Sequence, residues 1–270
     1  MAEWHEITDA LPQGVTALRT GAGRPLVFIA GNGGGTAFWD GLAKVLSGFE
    51  LIAFDYRDAP MRDGDGNLFE TAVRKAADLP GILDAIGIHK ALILGHSTGA
   101  QAAIRFAAAN PERVEHLIVS GGYAAPHPFI SASMGLRKSI LQEMGPESFM
   151  LDSLYRSIPP AKLFAQMEEQ GAVVLLSFRE PPDVEIESAR IDQIIEGDVS
   201  ALLSALTVPT TVVHARDDSV FPFALGEALA EAISGAALVP LDEGSHLAPM
   251  LAPAVYAQAL ETALNAKGAA

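Results

Sequence analysis

The stretch LILGHSTGA, residues 92–100, decides the fold because it joins a strand-like run directly to a helix-like one. An apolar run leads into the pentapeptide G-x-S-x-G around Ser97, and an alanine-rich helical pattern follows. This arrangement is typical of a sharp, strained turn that aims a nucleophilic serine outward, with glycines where the strand and helix backbones nearly touch. We therefore predict that Ser97 is a nucleophile. The alternative is that Ser97 or Thr98 only caps the start of a helix.

A serine hydroxyl needs a base that removes its proton, usually a histidine oriented by a carboxylate. In this arrangement the acid and then the histidine follow the serine along the chain. The segment VVHARDDSVFP (212–222) places two aspartates at the end of a predicted strand, and LDEGSHLAPM (241–250) places His246 after the last one. The order therefore predicts His246 as the base and leaves both aspartates as candidates for the acid.

Six apolar runs alternate with helical patterns along most of the chain. The runs are PLVFIAG (25–31), LIAFDYR (51–57), ALILGHS (91–97), HLIVSGG (116–122), TTVVHAR (210–216) and AALVPLD (236–242). Their nearly continuous apolar character is typical of parallel strands covered on both faces. We predict an α/β fold with a mostly parallel sheet, helices on both faces, and an antiparallel hairpin at one edge formed by the first 24 residues.

The alternation stops between about residues 126 and 200. Helix-like pieces rich in methionine are separated there by PHP, IPP and EPP, and VVLLSF (173–178) fits either a strand or a buried helix. We predict a core domain of residues 1–125 and 201–270, with a helical cap inserted at 126–200. The apolar side chains of the cap would either line a substrate pocket or pack it onto the sheet, namely Phe129, Met134, Met144, Phe149, Leu154, Phe164 and Met167.

The glycine loop GNGGGTAFW (31–39) has two interpretations. A strand, two spaced glycines and an acid at Asp55 match part of a dinucleotide-binding fingerprint, although Thr36 occupies the position of its third small residue. Alternatively, the loop presents a backbone N–H to a reacting oxygen.

Taken together, the pentapeptide, the order of serine, acid and histidine, and the glycine loop resemble the α/β-hydrolase family over roughly residues 20–265. The resemblance implies an acid four residues before a proline, which is Asp218 before Pro222, with Asp217 as the alternative. It also implies an oxyanion hole formed by the backbone N–H groups of Asn32 and Thr98.

The sequence departs from the family pattern in two loops. Ala30 replaces the histidine that usually supports the glycine loop, and DYRDAPMRDGDG (55–66) changes a small-residue turn that borders the pocket. We further expect Gly31, His127 and Phe129 to border the substrate.

The composition narrows the class of partner. The net charge is −15 with only 18 lysines and arginines, which argues against nucleic acid and anionic membranes as partners. The chain has no cysteine, hence no disulfide and no thiolate site, and it has no apolar run long enough to span a bilayer. We expect a cytoplasmic protein that acts on a small molecule without metal or cofactor, and a homo-oligomer remains open.

The expected function is hydrolysis of an ester, a lactone or a related acyl or carbon–carbon bond through an acyl-enzyme. Two other classes remain open at this stage. One is a non-catalytic ligand-binding or receptor protein on the same scaffold. The other is a nucleotide-dependent oxidoreductase, which would use the glycine loop and leave Ser97, Asp218 and His246 without a role.

Overall fold

A computed structural model describes residues 3–7, 11–32, 34–56, 61–170 and 181–265. The described chain contains an eight-stranded sheet. Its strands are β1 (His5–Glu6), β2 (Thr16–Gly21), β3 (Arg24–Ile29), β4 (Phe49–Asp55), β5 (Ala91–His96), β6 (Val114–Ser120), β7 (Thr210–Ala215) and β8 (Ala237–Leu241). Gly33, Arg57 and the VVLLSF segment (173–178) lie outside the described residues.

The strands are arranged in the order β1-β2-β4-β3-β5-β6-β7-β8. The pairs β1–β2 and β2–β4 are antiparallel, and every other neighbouring pair is parallel. The predicted parallel sheet and its antiparallel edge hairpin are therefore confirmed. Because the carboxyl ends of parallel strands meet at one edge, the loops after β3, β5, β7 and β8 lie together there.

Burial explains why the central strands lack an alternating pattern. Every residue of β5 and of β7 is buried, because helices cover both faces of the sheet. One apolar cluster, which includes Val27, Ile93 and Phe106, lies on one face. A second, which includes Phe28, Trp39 and Tyr256, lies on the other.

Helices connect the strands as the alternation predicts. The helices of the core are α1 (Asp40–Ala43), α2 (Ala72–Ala85), α3 (Thr98–Ala109), α8 (Ser200–Leu203), α9 (Phe223–Ala232), α10 (Ala248–Leu251) and α11 (Pro253–Asn265), with 3₁₀ turns at Thr36–Trp39 and Pro111–Arg113. Pro80 lies inside α2, which continues through it as one helix. The packing of Leu79, Ile82 and Leu83 on the core stabilises the helix on both sides of the proline.

Between β6 and α8 the described residues form no strand, and their regular elements are helices. These are α4 (Pro128–Ser139), α5 (Pro146–Ser157), α6 (Pro160–Gln170) and α7 (Val184–Glu196), with a π-helical turn at Ile140–Met144. We call α4 to α7 the inserted helices. A third apolar cluster joins them to the core, since it combines Met134 and Phe149 with Val220 and Phe221 from the loop after β7.

No helix among the described residues is long and apolar enough to cross a membrane.

Candidate active site

Ser97 lies at the turn between β5 and α3 in a conformation that few side chains adopt. Its backbone angles are φ 58° and ψ −126°, and positive φ is a strained conformation for a residue other than glycine. The neighbouring glycines make the turn possible. A Cβ atom on Gly95 would lie 2.3 Å from the carbonyl oxygen of Gly99, and one on Gly99 would lie 2.2 Å from that of Ile29. Both contacts are with backbone atoms, so the spacing of the pentapeptide has a steric cause.

The structure brings together the hydroxyl, imidazole and carboxylate that the sequence analysis selected. His246 Nε2 lies 3.1 Å from Ser97 Oγ, and His246 Nδ1 lies 2.8 Å from Asp218 Oδ2. An ionised carboxylate only accepts hydrogen bonds, so Nδ1 carries the proton and Nε2 is the acceptor for the serine hydroxyl. This is the tautomer that a general base requires.

Asp218 is buried but remains suited to carry a negative charge. Its other oxygen, Oδ1, accepts hydrogen bonds from the backbone N–H groups of Val220 and Phe221, each at 2.9 Å. Burial raises the pKa of Asp218, but the charge and hydrogen bond of His246, with smaller help from His214 and the Phe221 N–H, outweigh it. The net pKa therefore lies below its usual value.

Asp217, the alternative acid, has a different task. Its carboxylate accepts the backbone N–H of Ser245 at 2.8 Å and that of Gly244 at 3.3 Å. Ser245 has a φ of 53°, so the loop that carries His246 contains a strained residue that these bonds hold in place. Asp218 thus orients the His246 ring, whereas Asp217 holds the backbone of the two residues that precede His246.

The glycine loop lies directly above the serine. A Cβ atom on Gly31 would be 2.9 Å from Ser97 Cβ and 3.2 Å from Ser97 Oγ, so only glycine leaves room for a reacting group there. The backbone N–H of Asn32 donates to Thr98 Oγ1 at 2.8 Å, and Thr98 Oγ1 donates back to Asn32 Oδ1 at 2.9 Å. This N–H, for which the resemblance implies a role as an oxyanion donor, is engaged by the threonine hydroxyl.

Asp55, the candidate for ribose binding, is engaged near the same loop. Its Oδ2 accepts the backbone N–H of Thr36 at 3.2 Å, at the start of the 3₁₀ turn. A Cβ atom on Gly35 would come within 3.0 Å of that oxygen. The Asp55 carboxylate thus stabilises the conformation of the loop. The dinucleotide interpretation predicted a contact with ribose for it instead.

Two further histidines surround the triad. His96 Nδ1 lies 3.0 Å from Ser120 Oγ, and the His96 ring centroid is 5.1 Å from that of His246. His214 Nε2 donates to the carbonyl oxygen of Phe221 at 2.7 Å. Burial lowers the pKa of both rings, so both are neutral and add no charge to the site.

His127 and Phe129, which were expected to border the substrate, lie at the start of α4. His127 Nδ1 accepts the backbone N–H of Phe129 at 3.1 Å and so caps the helix. Both side chains are exposed to solvent. Their contact with a substrate stays a prediction.

Side chains of the inserted helices divide between packing and exposure. Met134 and Phe149 are buried in the third apolar cluster, whereas Met144 and Phe164 are more than 60% exposed. Packing is therefore the observed role of the first two.

Lys75 is the residue at this site that the sequence analysis missed. Its Nζ donates to the carbonyl oxygens of Ala30 and Gly31, at 2.8 and 3.3 Å, although it is far away in the sequence. The sequence does contain one signal for this contact. Lys75 lies four residues before Leu79 and seven before Ile82, and this helical spacing places it on the buried face of α2. A lysine in register with an apolar stripe indicates a buried partner.

No group of three or more side chains suited to a metal ion occurs among the described residues.

Comparison with known proteins identifies the family of the chain. A sequence model of the alpha/beta hydrolase family matches residues 26–259. The chain is 31% identical, over 244 residues, to a protein of Azorhizobium caulinodans named "Putative carbamate hydrolase RutD", with 89% of this chain and 91% of that protein covered.

Two solved structures share the fold at lower identity. A thermophilic esterase from Thermogutta terrifontis has a TM-score of 0.75 and 24% identity, and covers 98% of this chain and 99% of its own. An enol-lactonase from Burkholderia xenovorans has a TM-score of 0.76 and 21% identity, and the match covers 95% of this chain and 99% of the lactonase. The family model extends from the strand before the glycine loop into the helix after His246, so this chain belongs to the alpha/beta hydrolase family.

Proposed function

We propose that this hydrolase cleaves an ester or lactone of a small apolar substrate through an acyl-enzyme on Ser97. The observation that carries the proposal is the continuous series of hydrogen-bond distances from Ser97 Oγ through the His246 ring to Asp218 Oδ2. A nucleophile, a base in the correct tautomer and an ionised orienting acid are the three groups that acyl transfer requires.

In the first half-reaction, His246 Nε2 takes the hydroxyl proton as Ser97 Oγ attacks the substrate carbonyl carbon. The ring becomes a cation, which the Asp218 carboxylate stabilises. As the tetrahedral intermediate collapses, the bond to the leaving oxygen breaks and His246 returns the proton to it. The alcohol leaves, or in a lactone stays attached to the acyl chain, and the acyl group remains on Ser97.

The second half-reaction repeats these steps with water. His246 takes a proton from a water molecule that attacks the acyl carbonyl, and the Ser97 oxygen leaves with that proton. The products are a carboxylic acid and the original enzyme, so atoms and charge balance.

The negative oxygen of each tetrahedral intermediate needs hydrogen-bond donors. The Thr98 N–H lies in the first turn of α3, where amide groups have no acceptor within the helix. The second donor is the Asn32 N–H, which must exchange its bond with Thr98 Oγ1 for one with the substrate oxygen. Rotation of Thr98 about χ1 moves its hydroxyl away from this N–H, since threonine in a helix has two accessible χ1 rotamers.

A carbamate is the second substrate class that an observation favours. The relative with 31% identity carries a carbamate hydrolase name, and a carbamate presents the same kind of carbonyl to the serine as an ester does. The same mechanism applies, with a carbamyl group on Ser97 in place of an acyl group.

Covalent labelling tests the proposal. We expect a fluorophosphonate probe to add its mass to the wild-type chain at Ser97, and the Ser97→Ala variant to take up none. A panel of short-chain p-nitrophenyl esters, lactones and an aryl carbamate then identifies the better substrate class by kcat/KM.

The alternatives give different results in the same experiment. A non-catalytic binding protein would take up no probe yet be stabilised against heat by a small apolar ligand. An oxidoreductase would be stabilised by a nicotinamide or flavin nucleotide. Labelling that persists in Ser97→Ala would overturn the assignment of the nucleophile.

A further inference from the structure

Lys75 is a buried cation that the proposed mechanism does not use. The residue is only 3% exposed, and it lies in the first turn of α2. Lysine is almost never fully buried without a partner, since an ammonium group loses its hydration there. The contacts of its Nζ atom therefore indicate the role of this buried charge.

Three acceptors match the three N–H donors of this ammonium. Glu70 Oε1 lies 2.7 Å from Nζ, and the carbonyl oxygens of Ala30 and Gly31 lie at 2.8 and 3.3 Å. Glu70 supplies the compensating charge. The remaining donors bind the carbonyl oxygens of Ala30, just before the glycine loop, and of Gly31, which also accepts the backbone N–H of Gly34 at 3.1 Å.

The geometry of the peptide bond gives these contacts a consequence at the site. The carbonyl of Gly31 and the N–H of Asn32 belong to one planar trans peptide unit, in which they point in opposite directions. A hold on the Gly31 oxygen from the α2 side therefore directs the Asn32 N–H away from Lys75. On that side it meets Thr98, the residue next to Ser97.

The same network extends to the inserted helices. Glu70 Oε2 lies 3.5 Å from a guanidinium nitrogen of Arg190 in α7, and the backbone oxygen of Arg190 accepts Asn32 Nδ2 at 3.3 Å. The loop is thus held at its carbonyl groups by Lys75 and at the Asn32 side chain by α7, and Glu70 connects the two holds.

We propose that Lys75 is a positioning residue for the oxyanion hole: its ammonium, paired with Glu70, fixes the peptide plane that aims the Asn32 N–H at the developing oxyanion. This inference rests on the proposed function, because an oxyanion hole has a role only if Ser97 attacks a carbonyl. Lys75 itself touches no reacting atom.

The test is the kinetics of fluorophosphonate labelling in Lys75→Met, which removes the charge and keeps the length of the side chain. The phosphoryl oxygen of the probe occupies the oxyanion hole as Ser97 attacks. We expect the maximal labelling rate to fall about 10²-fold, similar to the loss of one oxyanion donor. The probe concentration for half-maximal rate should change less than about threefold, since ground-state binding is not affected.

A reversible probe separates positioning from general loss of structure. Phenylboronic acid forms a tetrahedral adduct with a nucleophilic serine, so its inhibition constant should rise by the same factor as the labelling rate falls. Lys138→Met is the matched control, because Lys138 also pairs with a carboxylate, Asp192, but contacts no atom of the glycine loop. The Lys138→Met variant should react with the fluorophosphonate probe and bind the boronate as the wild type does.

The outcomes distinguish the two proposals. A folded Lys75→Met chain with wild-type labelling and boronate binding overturns the role of Lys75 while the proposed function stands. A wild-type chain that does not label, or a Ser97→Ala chain that does, overturns the proposed function instead.

A second variant covers the case in which Lys75→Met does not fold. Glu70→Gln keeps the ammonium and removes the charge that holds it, so the labelling rate should fall on the order of tenfold through misplacement of the loop. Wild-type kinetics in Glu70→Gln would contradict the proposal.

Discussion

The turn at Ser97 and the inserted helices are built in opposite ways. All six residues of β5 are buried, and backbone atoms of neighbouring elements crowd Gly95 and Gly99. In the inserted helices, by contrast, α5 buries only Phe149, and Tyr155 and Phe164 are 60% and 64% exposed. Ion pairs at the surface and between helices, such as Lys138–Asp192, supply part of the contacts there.

This difference separates two requirements of an enzyme. The bond-making groups need positions fixed to fractions of an ångström, and close backbone packing supplies them. A region that borders a substrate can tolerate changes in its sequence if few of its side chains are tightly packed. The comparison therefore predicts large effects of substitutions near the turn and small ones in the inserted helices.

The largest effect is expected at the carboxylate of the triad. Asp218→Asn removes the charge that stabilises the His246 cation and favours the wrong tautomer of the ring. The same change in a trypsin-like protease lowers kcat about 10⁴-fold, and we expect a loss of that order here. The measurement is kcat for the best p-nitrophenyl ester of the panel.

Asp217→Asn is the matched control for that variant. An asparagine oxygen can still accept the Ser245 N–H, which Asp217 binds at 2.8 Å, so we expect a loss of about tenfold or less. Equal losses in both variants would contradict the separate roles assigned to the two aspartates.

Two glycine substitutions test this difference in packing, because each should change the free energy of unfolding. Gly99→Ala places a Cβ atom 2.2 Å from the carbonyl oxygen of Ile29, and we expect the free energy of unfolding to fall by about 3 kcal/mol. Gly135→Ala in α4 meets no atom within 4 Å and should raise it by about 0.5–1 kcal/mol, because alanine is the better helix former. Urea unfolding measures both, and destabilisation by Gly135→Ala would show that α4 is confined after all.

The smallest effect is expected in the pH dependence of stability. The pKa values of His96 and His214 lie below their ordinary value of 6.5, because burial disfavours the charged rings. Below that pH the unfolded chain binds more protons than the folded one. The stabilisation that these neutral rings give is therefore present above pH 6.5 and decreases as the pH falls.

Urea unfolding at about pH 7.5 and pH 5.5 measures this slope. We expect His214→Gln to reduce this slope, because the variant has no ring that takes up a proton on unfolding. An unchanged slope in His214→Gln would contradict a buried, neutral His214.

Much of the fold could be predicted because its signals are local. The continuous apolar runs identified the six strands that pair in parallel, and the hairpin expected in the first 24 residues forms as β1 and β2. The G-x-S-x-G spacing located the turn at Ser97 for a steric reason that the structure makes explicit. The break in the alternation after β6 identified the inserted helices.

The features that local sequence patterns did not predict depend on packing between segments that are distant in the sequence. A proline within a helical pattern commonly interrupts the helix, yet α2 continues through Pro80 because its apolar face is buried on both sides of the proline. The hydrogen bond from the Asn32 N–H to Thr98 Oγ1, 66 residues away in the sequence, likewise had no local signal.

The sequence by itself determined the sheet, the turn that carries Ser97 and the order of serine, acid and histidine, because each depends on periodicity or on spacing within a few residues. Only the tertiary structure decided which of two adjacent carboxylates reaches the His246 ring and which holds the backbone of Ser245 before it. It alone also placed the Lys75 ammonium beneath the glycine loop. Such contacts join residues tens to hundreds of positions apart, and no local pattern specifies the direction in which a side chain meets them.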